Sequence, residues 1–570
     1  MRRLTIALVK VVLVLSPISI CACGGGGGGG GAAGTGVIEG IVQDATTQTA
    51  IQGAAVSVVG SSLHATSDSQ GHYSIAHVPE GQQTVKAEAT DHLPRFGTAD
   101  VSANSTATLD FSVPSQAVGG SVYYVSTAGD DSHSGTQAEP WRTPAYGSRQ
   151  LQPGDTLVIL GGTYTMSEYD TDLVKPPFPG ADNAWITVKG EDGNRPRLTG
   201  SHSLLAAVEI PGMSYIRLQN LEIASEIDNP YSGGLRGGIE AGGSAGPGGE
   251  ISHVEIKDIE VHGIEEAGIN FSGNIDDVTM ENVYVHHTGG PAISAPGANG
   301  GSGWQNVVLR NCHVAYAGHF YQGQEQISPW ERPDGIGMES SEGPLEIDHC
   351  VFEHNAGDGL DSKTKNTYVR ETVIANNSCD SLKFWGDGSK AENVLIYGDG
   401  DGNPNNGLWA SITIDTEHPG QFQFINVTVD DRVERGNYPV YIQYSYSAAV
   451  TILMRNCIFA HGNNVFYMGD SVTLNADHNI FYRSAEPSAP VVHYKGQDVL
   501  QSGIASLSQG DNICAEPNFV ARAWGTDGDY HLRPGSPGID AGTATGAPAT
   551  DMDGTPRPQG AAVDMGSYER

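Results

Sequence analysis

Positive charge is scarce in this chain: 30 Lys and Arg stand against 66 Asp and Glu, for a formal net charge of -36. Binding a phosphate backbone needs clustered cations, so nucleic acid is excluded as a partner. The imbalance also disfavours direct contact with any polyanion. An acidic polymer would need a cationic bridge, and a divalent metal is the simplest one. The plainer reading is a soluble, self-repelling surface. Cysteine pairing is missing too. The seven cysteines show no CxxC spacing, which removes a zinc signature and a disulfide framework. Arg310-Asn311-Cys312, Asp348-His349-Cys350 and Arg455-Asn456-Cys457 are alike, and their thiols read as buried at equivalent positions of a repeat. Beyond the N-terminus no run is long and apolar enough to span a bilayer. Charged residues make up only 17% of a chain holding 76 glycines, which suits short strands and tight turns and argues against long helices.

The N-terminus is a different matter. Arg2 and Arg3 precede an apolar stretch from Leu4 to Ile20, the charged start and hydrophobic segment of a secretory signal. Ile20-Cys21-Ala22-Cys23 then resembles the bacterial lipoprotein signal, in which cleavage before a cysteine leaves that residue acylated. Cys23 fits best, because the small Ala22 precedes it. Residues 1–23 are therefore expected to be the signal and 24–35 a Gly-rich tether. The product is placed in a bacterial cell envelope, on the outer membrane or cell surface, with the lipid as its sole membrane contact. Secretion without lipid is the competing reading.

Residues 36–114 alternate in strand fashion between turns at Asp68-Ser69-Gln70-Gly71 and Pro79-Glu80-Gly81, and predict a small β-sandwich. These turns, with Gly40-Ile41-Val42 and Ile51-Gln52-Gly53-Ala54, resemble carboxypeptidase regulatory-like domains, which implies a spacer or binding module without catalysis.

From about residue 120 to 520 the chain repeats. Short strands such as His253-Val254-Glu255-Ile256 and Thr367-Tyr368-Val369 are each followed by a polar turn and a second strand. The second strands align from residues 267, 291, 334, 358, 380 and 406, always with Ile or Leu third: Asp334-Gly335-Ile336, Asp358-Gly359-Leu360, Asp380-Ser381-Leu382, Asn406-Gly407-Leu408. Starts 22 to 26 residues apart, with one 43-residue step for a loop between Ala317 and Pro333, give one three-strand coil per repeat. A Leu-dense consensus and a Trp-Asp signature are both absent, which excludes leucine-rich and WD-type arrays. The fold predicted is all-β, a parallel β-helix behind a small β-sandwich. A monomer is expected.

Side chains alternate along a strand, so residues after the inward Ile or Leu form an exposed column: Asn270, Ser294, Gly337, Asp361, Lys383, Trp409. A second column holds Glu339, Lys363, Trp385 and Ser411, and Asp334, Asp358 and Asp380 enter the same sheet. Carboxylates this close repel unless a proton or cation relieves them, and such oxygen-rich clusters suit Ca²⁺. With Ca²⁺ on the carboxylates, Lys383 loses its anionic partner, which lowers its pKa toward that of a general base. The plainer reading is an exposed Lys383–Asp361 ion pair among ordinary turn aspartates.

Asp334-Gly335-Ile336, Asp358-Gly359-Leu360-Asp361 and Leu382-Lys383, with the start at Tyr123 to Thr136, resemble the polysaccharide lyases of family 9, which are pectate lyase-like right-handed β-helices. The resemblance implies calcium on Asp334, Asp358 and Asp361, proton abstraction by Lys383, and β-elimination on an acidic, uronate-containing polysaccharide. One departure stands out: the family has a second Asp just before the one matching Asp358, where this chain has Gly357, leaving Asp380 or Glu339 as substitutes. Trp385 and Trp409 are candidates to stack on sugar rings, and Arg432 and Arg435 to meet a substrate carboxylate. Two other readings stand: a glycoside hydrolase using Asp358 with Asp380, and a non-catalytic carbohydrate-binding surface lipoprotein. Residues 521–570 resemble the C-terminal segment of many secreted bacterial β-helix proteins, and are expected to cap the last coil.

Overall fold

The structure is a computed structural model that describes residues 34–570 apart from 46, 60, 62, 91, 93–94, 114–119, 169–172, 203, 227–232, 243–250, 296–301, 319–331, 401–408, 432–436, 484–485 and 523–527. The signal, most of the tether, Cys23, Arg432, Arg435 and most of the loop between Ala317 and Pro333 lie outside the described residues.

Residues 34–113 form two four-stranded sheets. The strand Thr35–Asp44 turns alternate side chains inward, and it pairs antiparallel with His72–Pro79 and parallel with Thr106–Thr108 and Phe111–Val113. The other sheet runs His64–Thr66, Ala55–Val58, Gly81–Glu88, Arg95–Val101, all antiparallel. Ile38, Val42, Val56, Ile75, Val85 and Phe111 fill the space between, as a sandwich requires. The expected turn at Asp68 is held by its carboxylate, which accepts the amides of Gln70 and His72.

The remainder is a right-handed parallel β-helix. Strands from Val122–Val125 to Ile480–Tyr482 pair in parallel around two faces, and a twelve-stranded sheet from Val208–Glu209 to Gln497–Leu500 forms the third. Between the first two strands of each coil one residue adopts left-handed backbone: Asp258, Asn282, Asn311, His349, Asn393, Asn426 and Asn456 all have φ between 49° and 55°. Asn and Asp tolerate that conformation best, which explains their recurrence here. The residue after it points inward, and Ile259, Val283, Cys312, Cys350, Thr372 and Cys457 form the expected column, all buried. Rungs are linked along it, since Cys312 N–H reaches Cys350 Sγ and Cys350 N–H donates to Thr372 Oγ1 at 3.2 Å. A second internal ladder stacks Asn355 on Asn377, Nδ2 to Oδ1 at 2.9 Å.

One outer flank carries a histidine and tyrosine ladder. His262 stacks on His286 with 4.9 Å between rings, and Tyr284 stacks between His286 and His313. His286 also meets His287, Nδ1 to Nδ1 at 2.7 Å, and Glu260 at 3.3 Å.

The two ends of the solenoid are closed differently. At the start a short helix, Pro144–Gln150, is capped by Thr143, whose side chain accepts the Tyr146 amide, and it packs Gly147 against Val125 and Leu157. At the far end the parallel order stops where Pro490–Tyr494 pairs antiparallel with Gln497–Leu500, and Ile504 and Leu507 plug the core. Residues 521–570 are expected from their sequence to cap the last coil. The tail instead runs back along the flank: Ser567 Oγ donates to Val394 O, Asn426 Nδ2 to Asp564 O and Gly566 O, and Asn456 Nδ2 to Thr543 O. Phe519, Tyr530, Leu532 and Met565 bury an outer apolar patch of Ala375, Leu395, Ile458 and Ile480. That patch needs covering more than the last rung, which the 497–507 reversal already protects.

Candidate functional site

Three adjacent strands of the twelve-stranded sheet, Ile336–Ser341, Leu360–Thr364 and Leu382–Phe384, build the site. Ile336, Leu360 and Leu382 pair in register and enter the core, which forces Gly337, Asp361 and Lys383 into register on the outer face. Each strand is preceded by an aspartate that grips the next coil. Asp334 Oδ1 accepts the Asp358 amide at 2.8 Å, Asp358 Oδ1 accepts the Asp380 amide at 2.9 Å, and Asp380 Oδ1 accepts the Ala410 amide at 2.6 Å. One oxygen of each carboxylate is thus spent on backbone, and the other is fixed in position. Asp358 Oδ2 takes a hydrogen bond from Lys383 Nζ at 2.8 Å, with Asp380 Oδ2 at 3.5 Å and Asp361 Oδ2 at 3.9 Å from the same nitrogen.

Gly357 has a steric reason. A Cβ built there would lie 2.3 Å from Asp334 Oδ1, 2.5 Å from Arg332 O and 2.8 Å from Pro333 O. The space that a side chain at 357 would use is filled by the Asp334 carboxylate. The proposed substitutes do not step in: Glu339 is exposed and bound to Lys363 Nζ at 2.9 Å, and Asp380 is turned to Ala410 and Lys383.

Burial and mutual repulsion set the charges. Burial, then Asp358 and Asp361, push Asp334 well above the usual carboxylate range. Burial raises Asp361 as well, against the opposing pull of Lys383. Asp380 is pushed up to about 7, by burial first and by Asp358, again against Lys383. For Lys383 burial pulls the pKa down, but Asp358, Asp380 and Asp361 outweigh it and hold the ammonium well above the ordinary lysine range. The lowering expected from the sequence is therefore not a property of these protein groups alone; it needs a cation to occupy the carboxylates.

The residues fit such a cation. Asp334, Asp358 and Asp361 each present an oxygen within 4.8 Å of the others. Asp361 Oδ1 is buried and has no hydrogen-bond partner among the described residues, a costly state that a bound ion would relieve. An all-carboxylate donor set suits a hard divalent metal.

The outer columns differ from the expected ones beyond Lys383. Leu382 pairs with Ile412 and Lys383 with Thr413, so the coil begins at Ala410-Ser411-Ile412, four residues later than the alignment on Leu408. Both quartets carry an apolar third residue, and the sequence pattern cannot separate them. Trp409 is in consequence buried, 5% exposed, with little ring face to offer a sugar. Ser411 is buried, and its hydroxyl is spent on the Asp399 carboxylate, 3.0 and 3.1 Å from the two oxygens. Trp385 stays half-buried beside the site, and its indole N–H, shielded from solvent, donates to nothing among the described residues. The interlocking of each aspartate with the next coil's amide left no mark in the sequence beyond the repeated Asp.

Comparison with known proteins agrees with this architecture. Residues 123–404 match the family described as the Pel9A-like, right handed β-helix region, and residues 37–114 match the carboxypeptidase regulatory-like domain. Among solved structures, pectate lyase Pel9A is 17% identical, with 80% of this chain and 97% of that one aligned at a TM-score of 0.45. XylC in complex with xylose is 12% identical over 78% of this chain and 98% of that one, with a TM-score of 0.50. A rhamnogalacturonan lyase aligns over 73% and 95% at 13% identity and a TM-score of 0.36. These likenesses are likenesses of fold. No curated protein matches the chain.

Proposed function

Since residues 123–404 are a Pel9A-like right-handed β-helix region, we propose that this chain is a calcium-dependent polysaccharide lyase that cleaves a uronate-containing, pectate-like polymer by β-elimination. The observation that carries the reading is the placement of Lys383 in register with Asp361 and 2.8 Å from Asp358, beside the convergent oxygens of Asp334, Asp358 and Asp361.

In this reading Asp334, Asp358 and Asp361 hold the calcium. When bound, the ion supplies positive charge that neutralises the sugar carboxylate and makes the neighbouring C5–H more acidic. With a cation on Asp358 and Asp361, Lys383 would be released from the anions that keep it protonated, and its neutral Nζ would take the C5 proton. The electron pair left on C5 forms the C4–C5 double bond as the C4–O bond breaks, and the departing oxygen keeps the electrons of that bond and takes a proton from solvent. The chain's excess of negative charge is compatible with an acidic substrate on the same terms, since the polymer meets the metal and not a bare acidic face. Trp385, whose indole N–H has no partner among the described residues, is the better placed of the two tryptophans to touch the sugar.

The test is the ultraviolet absorbance of the unsaturated product on polygalacturonate, alginate and glycosaminoglycans, with calcium and with EDTA. Absence of that product on every uronate polymer sinks the proposal. One observation favours glycoside hydrolysis instead: Asp380, held up to about 7, could donate a proton to a leaving group. New reducing ends without an unsaturated product would select it, and retention of a polysaccharide with no turnover would select a binding protein. Anchoring to the bacterial envelope through Cys23 is part of the same proposal, and radiolabelled fatty acid incorporation lost in Cys23→Ala tests it.

A further inference from the structure

The outward column that passes through the candidate site continues beyond it in aromatic residues. Lys383 pairs with Thr413, Thr413 with Tyr441, Tyr441 with Tyr467, and Tyr467 with His493, each one coil further along the same face. Tyr441 is the centre of a cluster. It stacks on Tyr438 at 4.3 Å and on Tyr444 at 4.1 Å, and meets Tyr467 edge-on at 5.2 Å. Tyr467 in turn stacks on His493 at 5.1 Å. Coils are about 4.8 Å apart, so the rings begin about 10 Å from Lys383 and extend about 10 Å further.

The cluster is half-buried, with Tyr444 exposed at its edge, and the turn that carries Tyr444 is held from beneath. Tyr444 is 41% exposed, at the tip of a turn. Gln443 fixes that turn, accepting the Thr416 amide and donating to Thr416 O and Ala448 O. The buried Asp415 carboxylate accepts the amides of Ser445 and Tyr446. Tyr444 also lies close enough to Asp380 and Lys383 for their charges to act on its hydroxyl, so the rings and the acid–lysine cluster border one surface. Rigid aromatic faces give contact area at small entropic cost, and they receive the C–H faces of sugars without needing charge.

We propose that Tyr444 and Tyr467, with Tyr441 holding the cluster together between Tyr438 and Tyr444, form a stacking platform for pyranose rings of the polysaccharide on which Lys383 acts, so that the polymer lies along the solenoid axis and extends from the carboxylates toward the C-terminal coils. The proposal rests on the lyase reading only for the identity of the polymer. Because the platform offers ring faces, it grips the sugar by its apolar face, while the charged groups of the substrate are dealt with at Asp334, Asp358 and Asp361.

The experiment is calorimetric titration of the full Lys383→Ala chain, with calcium, using oligosaccharides of four and of eight residues from polygalacturonate and from alginate. The eight-residue ligand of at least one series binds more tightly than the four-residue one. Tyr467→Ala and Tyr444→Ala each weaken the longer ligand on the order of tenfold and leave the shorter one nearly unchanged. Tyr467→Phe, which keeps the ring, binds like the parent. Tyr444 sits on an exposed turn, so its variant tests the platform without threatening the fold. Equal affinity for short and long ligands, unaltered affinity in both alanine variants, or no binding in either series overturns the platform. Turnover by the chain with Lys383 intact is scored separately. Length-dependent binding without an unsaturated product removes the lyase reading and leaves the platform, whereas turnover with KM unchanged in the tyrosine variants does the reverse.

Discussion

Lys383 stands directly opposite Asp361 on the neighbouring coil, yet its short hydrogen bond goes to Asp358, one step back at the turn, and Asp361 lies 3.9 Å away with one oxygen lacking a hydrogen-bond partner among the described residues. If this lysine is the base, Lys383→Ala lowers kcat by about 10² to 10⁴-fold with little change in KM. Lys383→Arg does not restore it, because a guanidinium stays protonated. Initial rates of unsaturated product formation decide the matter.

Metal dependence follows from the three converging carboxylates. EDTA abolishes turnover and calcium restores it, and Asp361→Asn shifts the calcium requirement upward by tenfold or more. A ligand that binds the folded chain alone adds about 2.7 kcal/mol at a hundred times its Kd, so calcium also raises the melting temperature of the parent and not of Asp361→Asn. Calorimetric scans with and without calcium read this out apart from activity.

Gly357→Asp would restore the paired-aspartate pattern of the family that the sequence resembles. The structure predicts the opposite of a gain. A Cβ at 357 collides with Asp334 Oδ1 and the Arg332 carbonyl, so the variant displaces Asp334, binds calcium no better, and loses about 1–3 kcal/mol of stability. A tighter calcium site in this variant would contradict the placement of Asp334.

The histidine ladder gives the solenoid an acid-sensitive flank. Burial, with His262 and His287 beside it, pulls His286 down to about 4 against the opposing pull of Glu260. The unfolded chain takes up its proton near 6.5, earlier than the folded one, so stability is complete above that pH and is lost as pH falls from about 6.5 toward 4. His286→Asn flattens this slope, measured as urea midpoints at pH 7, 5.5 and 4.5.

Ser567 ties the tail to the coils, donating from Oγ to Val394 O and from N–H to Thr428 Oγ1, and accepting the Thr428 amide. Ser567→Ala leaves two buried backbone groups short of a partner and costs about 1–3 kcal/mol. The thermal midpoint records it.

Much of the architecture was legible because the repeat is written in residue types that physics constrains. Ile or Leu at one inward position and Asn or Asp at the left-handed turn recur coil by coil, and the alignment of Asp334, Asp358 and Lys383 follows from them. The pattern failed at Leu408 and Ile412, two apolar residues four apart that satisfy the same rule; Leu382 pairs with Ile412, and Leu408 lies outside the described residues. It was silent on Gly357, whose reason is a collision with a side chain 23 residues away. It was equally silent on the tail, because a segment that docks on a flank carries no period. The tyrosines at 441, 444 and 467 passed unnoticed for a related reason: they come together only once the coil spacing is known.

The path of the tail also bears on how the molecule comes apart. A solenoid whose coils touch only their neighbours can fray from either end, one rung after another. Here residues 543 to 567 reach back to strands near 393, 426 and 456. The last third of the array is thereby stitched into a single block that melts as a unit, held by a segment distant from it in sequence.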